Sequence, residues 1–505
     1  MFRRMTSPQT RSTSRTTRDD ERWSPRLWAL LIVLSLALFL DGLDVSMVAV
    51  ALPSIGTELG LSTATLQWVI SGYVLGFGGF LLLGGRTADL LGRRRVFLVA
   101  LGVFALASVI GGLVDSGALL VASRFVKGIA AAFTAPTGLS ILTTTFAEGR
   151  QRNRALSVYT VFGASGFSSG LLFGGLLMSL GWRWTFFFGA PFALLALVAG
   201  FALIPKDRPG ARGGYDLVGA ATLTATMLLL VYTVVTAPET GWAHPITLAS
   251  FAGVAALLSL FVWVERRVRF PLVRLGILRS GTLVRANVGA VALMGSFISF
   301  QFLLTLFLQQ ALQQSPLQMA LSLLPAGLLV AFSAPFADRL IDRFGTPVLI
   351  VGGLVALSVG YLLFLRVEAE FSYLPMLLPT ALLLGVGFAL AFPAINVQAT
   401  AGVADDEQGL AAGLVQTSAQ VGGALVLAVT TAIIAVDHAT GEGTGGGAAQ
   451  MLDQFQPGLI FVTSVALAGV LVAVSPMFGR RARRQASRPA SVVETEEPEP
   501  QTAGV

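Results

Sequence analysis

Two acids and two bases stand inside stretches of sequence that are otherwise apolar. Asp41 and Asp44 lie in the run LIVLSLALFLDGLDVSMVAVALPSI, and Arg124 and Lys127 lie in ALLVASRFVKGIAAAF. A charge buried in hydrocarbon costs several kcal/mol unless it is paired, protonated or facing water, so such residues mark function more often than packing. In each run the two charges are spaced i, i+3, which puts them on one face of a helix. At 1.5 Å per residue, Asp44 lies roughly 13 Å from the helix end near Pro53, and Asp41 about one turn deeper. The second run travels the other way from Gly117, which sets Arg124 roughly 10 Å and Lys127 about 15 Å from the same surface. Asp44 is therefore expected level with Arg124, and Asp41 level with Lys127. A carboxylate in such a network changes protonation with small changes in partner distance and water access. The chemistry these residues offer is reversible proton binding.

The elements that must position them are membrane helices. Of 505 residues, 54% are hydrophobic and 12% are charged, about half the charge of a soluble globular domain, roughly 25%. A span needs about 20 predominantly apolar residues, and fourteen such stretches centre near residues 40, 76, 105, 131, 166, 194, 226, 256, 298, 326, 356, 385, 421 and 467. Cytoplasmic loops collect Lys and Arg. With both termini cytoplasmic, every Lys and Arg falls on that side except Arg183, Arg366 and the two buried bases. This asymmetry accounts for the net charge of +7 without nucleic acid. The expectation is a multi-pass protein of the cell (inner) membrane, an all-α chain in contact with lipid.

Other function classes fail on composition. The Arg- and Ser-rich start has the makeup of an organellar transit peptide, but Asp19, Asp20 and Glu21 argue against one. There is no cysteine, hence no disulfide or thiolate metal site. Both histidines, His244 and His438, fall in expected outer loops, so no Ser/His/Asp set assembles within the spans and no enzyme is expected. The only lysines, Lys127 and Lys206, are not set in a G-x-x-x-x-G-K-[ST] loop, which excludes an ATP-driven pump in this chain. No metal and no cofactor are expected.

A duplication is visible in two turns. GRTADLLGRRR (85–95) follows the second span and ADRLIDRFGTP (337–347) follows the tenth. Both combine acid, glycine and arginine; the glycine permits a tight turn, and Asp89 or Asp342 can pair with Arg or cap the next helix. Gln301, Asn396, Gln416 and Gln420 place uncharged polar groups within later spans, for interhelical hydrogen bonds or for a substrate. Gln416 and Gln420 share a helix face at i, i+4. The stretch GEGTGGG (441–447) reads as a flexible outer loop, and the ends of the chain as disordered.

Together these motifs resemble the major facilitator superfamily, specifically its fourteen-span drug/proton antiporter branch, over nearly the whole chain. DGLDVSMVAVALPSI (41–55) looks like the branch's first-span motif, and RFVKGIAAA (124–132) like its proton-linked fourth-span motif, with Lys127 where Gln is usual. GASGFSSGLLFGGLL (163–177) resembles the fifth-span antiporter motif, with Leu171 where Pro is usual, and contributes Gly163, Gly166, Gly170, Gly174 and Gly175. PETGW (238–242) and VERRVRFPLVRL (264–275) flank the two extra spans. The resemblance implies two six-helix bundles, 27–205 and 266–479, separated by two inserted spans, 206–265, with cytoplasmic tails 1–26 and 480–505. It assigns Asp44 and Arg124 to proton coupling, which the depth match extends to Asp41 and Lys127, and Asp89, Gly92 and Arg93 to a conformational latch, which the repeated turns extend to Gly85, Asp342 and Arg343. It implies a monomeric carrier exporting hydrophobic or amphipathic, drug-like small molecules in exchange for protons. Proton symport or uniport for uptake of a small metabolite is the alternative on the same fold.

Overall fold

The computed structural model describes residues 23–147, 150–206, 216–333, 336–366, 372–403, 407–440 and 448–486. The first helices are α1 (Pro25–Leu59), α2 (Thr63–Leu91), α3 (Arg93–Leu113), α4 (Gly117–Thr145), α5 (Arg150–Leu177), α6 (Arg183–Phe187) and α7 (Gly189–Leu203). A hairpin follows, α8 (Leu217–Thr240) and α9 (Pro245–Arg267). The last are α10 (Gly281–Leu306), α11 (Pro316–Ser333), α12 (Ala337–Phe344), α13 (Thr346–Phe364), α14 (Leu378–Thr400), α15 (Gln408–Thr440) and α16 (Ala448–Ala486). Fourteen of the described segments are long and apolar enough to cross a membrane. The exterior is apolar where lipid would lie: Val99, Leu106 and Leu113, two turns apart on α3, are all exposed.

The helix ends follow local chemistry. Ser24 caps α1 by accepting the Leu27 N–H, Pro25 occupies its first turn, and Gly60 closes it in the left-handed region at φ 62°. Two stretches expected as tail are helical: α1 starts at Pro25, and α16 runs through Arg480–Arg484 to Ala486, a sequence without Gly or Pro beyond Gly479. Residues 1–22 and 487–505, and the GEGTGGG stretch, lie outside the described residues.

The two related turns also match in backbone. Gly92 (φ 95°) is the cap residue of α3 and Gly345 (φ 77°) that of α13, each with positive φ. Neither cap carries a side-chain hydrogen bond. Asp89 and Asp342 each sit three residues earlier, within the preceding helix. Asp342 and Arg343 are exposed on α12 and Arg93 opens α3; the Asp89 side chain lies outside the described residues.

The duplication extends to packing. In the first half α1 lies against α5 and α7, α2 against α4, and α3 against α4 and α7. In the second, α10 lies against α15 and α16, α11 against α14, and α13 against α14 and α16. Matching helices in order reproduces every pair. The halves meet reciprocally, α2 on α15 and α5 on α11, as a pseudo-twofold requires. Around this seam Thr417 Oγ1 donates to Gly78 O (3.2 Å), Gln67 and Thr431 are hydrogen-bonded (2.5 Å), and Gly175 lies against Leu317. The hairpin is attached beside it, α8 touching both α2 and α15.

A buried ionic site between the first and fourth spans

Close helix packing brings the charges together. On α2, Gly72 and Gly76 lie against the α4 main chain, at Val121 O and at Phe125 O and Ile129 N, and on α4 Gly128 lies against Tyr73 O. Small residues allow this approach. On the other side α5 lies on α1 through its glycines: Gly163 O approaches Gly42, Gly166 meets Phe39, Gly170 meets Leu43 and Ser46, and Gly174 meets Met47. The five antiporter-motif glycines thus carry a plain packing role, four of them against the acid-bearing helix and Gly175 against α11 across the seam.

Asp44, Arg124 and Lys127 are 2%, 2% and 1% exposed. Arg124 Nη1 bonds Asp44 Oδ2 and Lys127 Nζ bonds Asp44 Oδ1, so one carboxylate holds two cations. The bases make further contacts. Arg124 Nε donates to Val69 O at 3.1 Å and its guanidinium lies 4.5 Å from the Tyr73 ring centroid. Lys127 Nζ lies 4.6 Å from the Phe104 ring centroid and 5.7 Å from that of Phe186. Cation–π contacts of this kind gain strength on desolvation, up to about 2 kcal/mol.

The expected pairing of Asp41 with Lys127 is not what the fold builds. Side chains on a helix lean toward its N-terminus, so on antiparallel helices the long Lys127 stem and Asp44 converge. Asp41 is left with its Oδ2 buried and without a hydrogen-bond partner. Both oxygens of Asp44 are engaged by cations; the carboxyl group with an oxygen available to a proton is Asp41. The aromatic enclosure by Tyr73, Phe104 and Phe186 was not legible in the sequence, where these residues look like any of 34 Phe and 6 Tyr.

The remaining candidates are dispersed. Gln301, Asn396, Gln416 and Gln420 are all half-buried, on α10, α14 and α15. The Asn396 amide donates to Phe392 O of its own helix (2.8 Å), and Gln420 Cβ faces Gly78 across the seam. A residue with a sharper role is Gln309, set by a π-helical turn at Phe307–Ala311, whose Nε2 donates to Val50 O of α1 at 2.9 Å.

The Major Facilitator Superfamily model matches residues 34–427 and 286–498. The chain belongs to this superfamily. It is 39% identical over 470 residues to the puromycin resistance protein pur8 of Streptomyces alboniger, covering 89% of this chain and 92% of that one. It is 35% identical to the cephamycin export protein CmcT of Amycolatopsis lactamdurans, covering 89% and 93%. Among solved structures, the POT family transporter PepTSo superimposes with a TM-score of 0.66 at 17% identity, over 90% of this chain and 99% of that one, a likeness of fold. The protein is thus a membrane transporter and not an enzyme, with fourteen helices among its described residues long and apolar enough to cross a membrane.

Proposed function

We propose that this chain is a secondary efflux carrier of the cell membrane, monomeric and with both termini cytoplasmic, which exports hydrophobic or amphipathic, antibiotic-like molecules in exchange for protons. The single observation that carries the proton coupling is the buried Asp41–Asp44–Arg124–Lys127 set. The second half reproduces the helix packing of the first without any buried ion pair among its described residues, so the fold itself does not require these charges. Relatives named for puromycin resistance and cephamycin export support drug-like cargo and the outward direction.

In this reading Asp41 takes and releases the proton, while Asp44 fixes Arg124 and Lys127 beside it. A proton arriving at Asp41 removes one negative charge from a dry cluster holding two cations. That change alters the interaction of α1 with α4 and biases the carrier toward one of its two facings, and cargo biases it toward the other. The glycine contacts of α5 with α1 and α11 transmit the shift to the seam between the halves. Gly85, Asp89, Gly92, Arg93, Asp342 and Arg343 serve as the hinge-side latch. Gln301, Asn396, Gln416 and Gln420 offer polar contacts to cargo.

The deciding experiment is transport of puromycin and a panel of amphipathic compounds by the purified carrier in proteoliposomes with an imposed pH gradient. Export should accelerate with an inward proton gradient, and Asp41→Asn should abolish that acceleration while leaving cargo binding measurable. Transport indifferent to the gradient would indicate a uniporter, and accumulation along the proton gradient a symporter; either result refutes exchange.

A further inference from the structure

Glu265 of the VERRVRFPLVRL segment and Asp216 form a second pair of acids that proton coupling does not use. Asp216 is the cap residue of α8, its Oδ1 accepting the Gly219 N–H at 2.6 Å. Glu265, in the last turn of α9, accepts the Val273 N–H at 3.0 Å and so ties the linker after α9 back to the hairpin. They are 4% and 5% exposed. The remaining oxygens, Asp216 Oδ2 and Glu265 Oε1, are both buried and neither has a donor. These oxygens converge on one spot: a Cβ on Gly219 would come within 2.4 Å of Asp216 Oδ2 and 2.8 Å of Glu265 Oε1.

Among the described residues, the bases nearby have other contacts. Arg86 of α2 and Arg269 lie over the Phe270 ring, Arg267 over Trp263, and Arg274 pairs with Glu407 ahead of α15. Arg266 and Arg279 are exposed. Around the acids pack Leu83 of α2, Ala220 of α8, Phe261 of α9, and Leu272 and Val273 of the linker. Acceptor against acceptor in an apolar setting is costly, and two carboxyl groups sharing a site cannot both ionise without strong repulsion.

We propose that Asp216 and Glu265 form a proton-binding site, one carboxylic acid donating to one carboxylate, that locks the linker to the inserted hairpin. The site lies at the face where α1 begins and α16 ends, beside the α2–α15 seam. One proton from solution enters the pair when it forms; loss of that proton leaves two facing carboxylates, whose repulsion frees Glu265 from Val273. The lock is therefore complete at low pH and is lost as pH rises past the value at which the shared proton leaves. The hairpin, which touches both halves, is coupled or uncoupled from the second half accordingly. This inference is independent of the role given to Asp41.

The test uses the full-length protein in nanodiscs. Infrared spectra should contain a neutral-acid C=O band that Asp41→Asn leaves in place and that Glu265→Gln and Asp216→Asn each remove. Hydrogen exchange of residues 268–280, normalised to intrinsic rates, should lose protection by about tenfold per pH unit over the range in which the locked pair keeps its proton and the open pair has lost it, the slope for one proton, and should level off above that range. Glu265→Gln should hold protection at every pH, since the amide can donate to Asp216 and still accept from Val273. If that variant does not fold, Asp216→Asn, which keeps a competent cap, answers the same question. A band or a pH slope unchanged in both variants overturns the proposal. So does protection that tracks sodium concentration at fixed pH, which would make the occupant a monovalent cation.

Discussion

The two halves of this transporter share a helix arrangement and differ in what they bury. The α1–α4 contact encloses one carboxylate and two cations; the corresponding half, built on α10, α13 and α14, encloses hydroxyls. There Tyr361 donates to Ser296 at 3.3 Å, Thr380 donates to Gly360 O at 3.3 Å, and the Phe300 ring lies 4.6 Å from that of Tyr361. A neutral core suffices to hold three helices in this geometry. Dry ion pairs gain little net stability over apolar packing and are costly when broken, so stability alone does not account for the charges of the first half.

The comparison breaks most visibly at Asp44. Asp44→Ala strands Arg124 and Lys127 together, at a cost of roughly 3–5 kcal/mol, and should lower the thermal midpoint sharply while abolishing gradient-driven transport. Arg124→Ala should be milder, because Lys127 still holds Asp44. In a thermal double-mutant cycle, Asp44→Asn with Arg124→Ala should show coupling of about 0.5–3 kcal/mol; strict additivity would mean that the ion pair is not formed in the membrane.

Glycine packing should affect the halves alike. Gly170 lies against the α1 backbone at Leu43, and Gly422 of α15 against that of α10, where an added Cβ would come within 2.6 Å of Val291 Cα. Alanine at either position forces a helix shift costing roughly 1–3 kcal/mol. Similar losses in the two variants, read from thermal unfolding, support a shared scaffold. A loss confined to Gly170→Ala would show that the α1–α5 contact is special to the ionic half.

The smallest effect belongs to the neutral half. Tyr361→Phe removes one buried hydrogen bond, worth about 1 kcal/mol, and should leave the pH dependence of transport untouched. A changed proton response in this variant would assign the second half a share of the coupling and dissolve the contrast.

Span number, the odd-out charges and the duplicated turns were all legible in the sequence, because membrane burial constrains residue type locally. A run of about 20 apolar residues has few other structures open to it, and an acid within it stands out whatever its neighbours. Periodicity also set Asp44 and Arg124 at one depth. Which base meets which acid was decided only by tertiary structure. Depth along a helix is a one-dimensional coordinate, whereas pairing depends on rotation about the helix axis and on side-chain reach; Lys127 used its length to join Arg124 on Asp44, leaving Asp41 with an unpartnered oxygen. The same limit hid the aromatic faces of Tyr73, Phe104 and Phe186 and the meeting of Asp216 with Glu265, residues far apart in the chain whose contact exists only once α8, α9 and the linker are folded against one another.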